Sequence, residues 1–194
     1  MIKALLLLLT VSVSPDQVIV GSMLCGGEHL CIVSAWQYQG HTLLLTARHC
    51  LYGTEPDVTL PGIMQAFCSV TIKGQKTSAI FTASLTSDIA LAYAGAISPA
   101  TLPVWEQASS PSTTVVFVTT IEHLTTEASG RLVYTGVYQN FVLKRYPRFA
   151  WFVSPVGWSG SSGTPVLVNG KIYGVVSVAA PALHLTGVQP YAFR

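Results

Sequence analysis

The chain predicts an all-β protein, and three observations carry that expectation. From Val18 onward the apolar residues come in short runs, and few segments longer than ten residues carry a helical period. Val, Ile, Thr and Tyr dominate these runs, and branched or aromatic side chains suit a pleated sheet. Turn formers stand between the runs. The strands are read at Leu43-Leu44-Leu45, Val115-Val116-Phe117-Val118, Leu132-Val133-Tyr134, Val166-Leu167-Val168 and Ile172-Tyr173-Gly174-Val175-Val176. The turns are read at Gln39-Gly40, Pro61-Gly62, Lys73-Gly74, Ser129-Gly130 and Asn169-Gly170. Asn169-Gly170, set between two apolar runs, is the strongest hairpin signal, because a type I′ turn needs two residues that tolerate positive φ.

Length and composition bound the organisation. The 194 residues are 50% hydrophobic and 9% charged, which supplies a core and argues against disorder. Pro99, Pro103, Ser109, Ser110, Pro111 and Ser112 mark residues 99–112 as a connector between two halves, 15–98 and 113–194. No sequence repeat relates the halves. The net charge is only +2 and the basic residues are scattered. The densest basic group, Lys144, Arg145 and Arg148, is interrupted by Tyr146 and Pro147. That is too narrow for a nucleic-acid surface, so no nucleic-acid partner is expected.

Residues 1–14 are set apart. Lys3 precedes an apolar run from Ala4 to Val13 that Pro15-Asp16 ends. The run has signal-peptide length and is too short to span a bilayer comfortably. Three readings stand open: a secretion signal, a membrane-proximal remnant of polyprotein processing, or a first strand. The first two would make the protein secreted or membrane-associated. Cys25, Cys31, Cys50 and Cys68 form no C-x-x-C pair and stand at no zinc-finger spacing from a histidine. Disulfides and buried thiols both remain open, and four cysteines allow three pairings. The sequence implies no metal and no cofactor.

Three segments carry chemistry. Leu43 to Cys50 is an apolar strand that delivers His49 just past its end. Thr86 to Ala92 sets Asp88 against an apolar run. Gly157 to Val166 is a Gly/Ser loop that feeds the hairpin strand and contains Ser159, Ser161 and Ser162. Each alone is ordinary: a surface histidine, a turn aspartate, a loop. Their order on a chain of two β-rich halves is what gives them weight.

Together they resemble the signature blocks of the chymotrypsin-like serine proteases. Thr46-Ala47-Arg48-His49-Cys50 is similar to the block around the family's general base. Ser87-Asp88-Ile89-Ala90-Leu91 resembles its Asp-Ile-Ala-Leu block, and Gly160-Ser161-Ser162-Gly163-Thr164-Pro165 resembles its Gly-Asp-Ser-Gly-Gly-Pro block. The likeness spans residues 29–180. It implies two six-stranded antiparallel β-barrels with the active site in the cleft between them. It also implies a serine endopeptidase with His49, Asp88 and Ser162 as the triad. A serine hydroxyl is a weak nucleophile and needs a base in hydrogen-bond reach. An imidazole of pKa about 6.5 can take its proton and return it to the leaving amine. Asp88 would hold the imidazole's tautomer, and the backbone N–H groups of Gly160 and Ser162 would form the oxyanion hole. Ser162 is favoured over Ser159 and Ser161 by its Ser-Gly-x-Pro setting. Asp57, His29, His41, His123 and His184 lack matching contexts. The likeness pairs Cys31 with Cys50, leaving Cys25 and Cys68 as a second pair; in a reducing compartment all four would be free thiols.

The same resemblance locates a specificity pocket. Val156, six residues before Ser162, falls at its base, and Ser177, Val178 and Ala179 fall on the strand that lines it and meets the substrate backbone. An uncharged base cannot repay the desolvation of Lys or Arg, so an uncharged, apolar residue is expected before the cut. Val176 stands where glutamine-reading virus proteases usually carry histidine. Ser161 replaces the acidic residue that receives a new N-terminus in zymogen-activated relatives, which argues against that activation route. The short, loop-poor chain is most similar to compact viral polyprotein proteases of the sobemovirus-like type, with small bacterial or phage peptidases as the other candidates. The expected partner is a polypeptide substrate, its own polyprotein included. The alternative is a catalytically silent β-barrel binding module.

Overall fold

Alternation along β4 (Gln65–Ile72) and β5 (Gln75–Ala83) shows how the sheet sorts its side chains. Cys68, Val70 and Ile72 on β4 and Ala79, Phe81 and Ala83 on β5 are buried, while Phe67 and Ile80, at the alternate positions, face outward. A strand covered on one face has this period of two. The computed structural model describes residues 18–26, 29–52, 65–110, 112–121, 124–137 and 148–191. The readings made for residues 1–14, Asp57, Pro61-Gly62, His123, Lys144 and Arg145 lie outside those residues.

Besides β4 and β5, the first half contains β1 (Ile19–Cys25), β2 (His29–Tyr38), β3 (His41–Thr46) and β6 (Ala90–Tyr93). They close into an antiparallel barrel in the order β1-β2-β3-β6-β5-β4. The second half contains β7 (Thr114–Ile121), β8 (Leu124–Val137), β9 (Arg148–Val153), β10 (Pro165–Val168), β11 (Lys171–Ala180) and β12 (Leu185–Pro190). They close as β10-β11-β12-β9-β8-β7. Read from β7, that is the same connectivity as the first barrel. Two closed six-stranded barrels are what the resemblance implied.

The strands without alternation lie where both faces are covered. Leu43, Leu44 and Leu45 of β3 are all buried, as is every residue of β10. One apolar cluster runs through the first barrel and takes in Val118, Leu167, Ile172, Val175 and Tyr191 from the second half. The barrels are therefore joined by apolar burial.

The chain between the barrels is pinned to both. The Gln37 N–H donates to the Pro103 carbonyl at 2.8 Å, and the Trp105 N–H returns a bond to the Gln37 carbonyl at 2.7 Å. Farther along, the Ala108 N–H donates to Ile172 and the Ile172 N–H to Glu106, both at 2.8 Å. Trp105 packs edge-on against Trp36 and Tyr191.

Three of the expected turns have positive φ at both central residues: Gln39-Gly40, Lys73-Gly74 and Asn169-Gly170. Ser129-Gly130 is a correction. It lies inside β8, which continues without a break from Leu124 to Val137. A Cβ on Gly130 would collide with the buried Phe117 ring, so this glycine makes room for packing and not for a turn. All four cysteines are bonded: Cys25–Cys68 joins β1 to β4, and Cys31–Cys50 joins β2 to the turn after β3.

Candidate active site

His49 is held by the end of β3. The strand stops at Thr46, Ala47 stays extended, and one 3-10 turn spans Arg48–Leu51. The Thr46 hydroxyl donates to the Ile32 carbonyl at 2.8 Å, and Cys50 is tied to Cys31, so the turn is anchored to β2 from both sides.

Asp88 comes from a loop that organises itself around Ser84. The Ser84 hydroxyl oxygen accepts from the Thr86 and Ser87 N–H groups and from the Ser87 hydroxyl, at 3.3, 3.2 and 2.8 Å. The Ser84 N–H donates to the Ile89 carbonyl at 2.8 Å, and the buried Arg48 guanidinium donates to the Ser84 carbonyl at 2.9 Å. The Asp88 carboxylate is 1% exposed. It accepts from the His49 backbone N–H at 2.9 Å, from His49 Nδ1 at 2.8 Å and from the Ser177 hydroxyl. Gln189 Oε1 accepts from the Asp88 N–H at 3.3 Å. Burial pushes the carboxyl upward, but the facing imidazole and the hydrogen bonds from His49 and Ser177 outweigh it and hold Asp88 below its ordinary value. Asp88 is thus an anion at neutral pH. An anionic acceptor assigns the proton to His49 Nδ1 and leaves Nε2 as the basic nitrogen.

That nitrogen stands 2.8 Å from Ser162 Oγ. The serine loop is held by its backbone: the Gly163 N–H donates to Val176, the Thr164 N–H to Ser161, and the Ile32 N–H to the Ser162 carbonyl, at 2.8, 3.1 and 2.8 Å. Gly163 has φ +85°, and its Cα packs so closely on β2 that an added Cβ would overlap the Ile32 carbonyl oxygen and lie 2.5 Å from Thr46 Oγ1. The serine loop and the histidine turn therefore share one support. The other two loop serines are placed differently. Ser161 is buried with its hydroxyl donating to the Trp158 carbonyl at 2.7 Å, and Ser159 is exposed. Gly160 has φ +91°. Among the described residues, the backbone N–H groups of Gly160 and Ser162 find no acceptor.

The residues expected around the pocket divide. Ala179 is exposed, and Val178 is half-buried against Phe149 and Trp151. Val156 is 1% exposed and belongs to the core of the second barrel. Ser177, expected at a substrate contact, is 3% exposed, and its hydroxyl is turned inward onto Asp88. The register of β11 against β12 shifts between Val176 and Val178, which takes Ser177 out of the regular alternation. Of the other histidines among the described residues, His29 and His41 lie in β2 and β3, and His184 sits in a left-handed turn before β12. Gln189 and the inward role of Ser177 have no signal in the sequence, and Thr46 and Arg48 stand in the block around His49 without showing what they hold. The contacts of all four depend on strands folding together.

No family model and no curated protein sequence matches the chain. Solved structures do match its shape. The NSP4 proteinase from Equine Arteritis Virus is 17% identical with a TM-score of 0.57, over 89% of this chain and 75% of that one. The serine protease of a human pathogenic astrovirus is 15% identical with a TM-score of 0.62, over 93% and 92%. The active form of the Rv3671c protease from M. tuberculosis is 16% identical with a TM-score of 0.63, over 90% and 75%. At these identities the likeness concerns the fold. The chain has the double-barrel fold of the chymotrypsin-like serine proteases.

Proposed function

We propose that this protein is a serine endopeptidase that cleaves peptide bonds through an acyl-enzyme, with His49, Asp88 and Ser162 as its triad. The observation that carries the reading is the continuous series from a buried carboxylate, through an imidazole at 2.8 Å, to a serine hydroxyl at 2.8 Å. In this reading Ser162 Oγ attacks the scissile carbonyl while His49 Nε2 takes its proton. The tetrahedral oxyanion is met by the N–H groups of Gly160 and Ser162. Collapse breaks the C–N bond, the imidazolium gives its proton to the leaving amine, and water then repeats the sequence to release the acid.

Asp88 stabilises the imidazolium without itself becoming protonated, as its lowered pKa allows. The apolar surroundings of Val156 favour an uncharged residue before the cut. Viral and bacterial proteins share the fold, so the proposal concerns the bond cleaved and extends to a polyprotein as one substrate among others. Hydrolysis of an unfolded protein substrate tests it. The native chain should cut it, Ser162→Ala should lose on the order of 10⁶-fold in kcat, and Asp88→Asn about 10⁴-fold. Equal residual cutting by a folded Ser162→Ala variant would remove Ser162 from the mechanism.

A further inference from the structure

Resting on the protease reading, we infer that the primary specificity site accepts only a small side chain before the scissile bond, and that Thr186 sets its depth. The site expected beside Val156 falls where Gly157 faces the paired ends of β11 and β12. Ala179 is exposed at its mouth, whereas Thr186, its direct partner across the β11–β12 ladder, is 0% exposed. Directly opposed residues project on the same face of a sheet, so Thr186 stands beside Ala179 on the wall that faces Gly157, and it is the more buried of the two.

Gly157 reports how close the two walls are. A Cβ built on it would stand 3.3 Å from Ala179 Cβ, 3.2 Å from Thr186 Oγ1 and 3.3 Å from the Leu185 carbonyl oxygen. One methyl group on Gly157 would thus already touch both strands. Behind this contact the space is filled as well. Val156 is 1% and Ser154 5% exposed, and Thr186 is backed on its other side by its ladder partner Phe152, which is fully buried. A site open at Ala179 and closed at Thr186 has room for Gly, Ala or Ser and none for a Leu or Phe side chain.

The Thr186 hydroxyl supplies a second, independent observation. Among the described residues it is buried with no hydrogen-bond partner. The buried serines Ser154, Ser161 and Ser177 all use their hydroxyls. Such an oxygen is costly, and a valine would fill the same volume without it. Its position against Gly157, at the closed end of the site, makes it the group that a bound small residue meets.

The test begins with a preparation shown to label at Ser162 with a fluorophosphonate. On that preparation, kcat/KM is measured for peptides that differ only in the residue before the cut: Gly, Ala, Ser, Leu, Phe, Gln and Lys. Ala and Ser should exceed Leu and Phe by about 100-fold, since size exclusion by a closed pocket acts through several methylene equivalents. Thr186→Gly should raise the Phe-to-Ala ratio by about 10-fold or more, and the milder Thr186→Ser, which keeps the hydroxyl, should move it less. A native enzyme that cuts after Phe as readily as after Ala overturns the inference. So do variants that label normally with an unchanged profile. Absence of labelling on folded native protein overturns the protease reading itself, and the two failures are thereby distinguished.

Discussion

Asp88 is the residue on which the local energetics turn. A carboxylate 1% exposed is expensive unless its charge is met by donors, and here His49 and Ser177 meet it. Ser177→Ala removes a charge-assisted donor from a buried acceptor and should cost about 1–3 kcal/mol in stability. The pH dependence follows from the sign of the shift. A carboxyl held below its unfolded value of 3.8 stabilises the fold above that value and loses the contribution as pH falls through its folded pKa. Ser177→Ala raises the folded pKa, so acid unfolding should begin at higher pH, and kcat should fall more than KM changes. Denaturation followed by circular dichroism from pH 2 to 7, with peptide kinetics, reads both effects. An acid limb identical to that of the native chain would mean that the Ser177 hydroxyl does not support Asp88. His49 and Asp88 were legible in the sequence because each stands in a short block. The hydroxyl of Ser177 and the Gln189 amide were not, since they reach Asp88 across 89 and 101 residues.

At the level of elements, the hairpins and the serine loop obey different rules. Asn169-Gly170 was legible because two residues decide a type I′ turn. Ser129-Gly130 misled because a glycine serves a turn or a close approach equally well, and only the position of Phe117 decides between them. Gly163 combines both demands, with positive φ and no room for a Cβ. Gly163→Ala must push the serine loop away from β2, and β2 is also what supports the histidine turn. The expected result is a loss of at least about 100-fold in kcat, as for other displacements of a reacting group by about 1 Å. Gly160 has nothing nearer than 3.8 Å to its missing Cβ, so Gly160→Ala should cost about 1–2 kcal/mol of backbone strain with no collision. Thermal melts and kinetics on the two variants compare them directly. Equal effects would show that the contact with β2 is not what places Ser162.

Over the whole molecule, one connectivity is used twice by two halves without a detectable sequence repeat. Burial pattern and turn chemistry specify a barrel, and many different residues satisfy both, which is why the all-β class was legible in the runs and turns, whereas the two six-stranded barrels were legible only through the resemblance of the three blocks. The disulfides staple only the first barrel, across separations of 43 and 19 residues. By loop-closure entropy they contribute about 4 and 3 kcal/mol. Replacing Cys25 and Cys68 by Ala should lower Tm and leave kcat near native. Replacing Cys31 and Cys50 should lower both, because Cys50 adjoins His49 in the anchored turn. Equal kcat in the two double variants would separate that turn from catalysis.

All of this depends on Ser162 being a nucleophile activated by His49. Fluorophosphonate treatment, followed by proteolytic mapping of the adduct, measures that most directly. A single adduct on Ser162 is expected, lost in His49→Ala while Ser159 and Ser161 stay unmodified. A folded protein that takes no label, or takes it on Ser159 or Ser161, would contradict it.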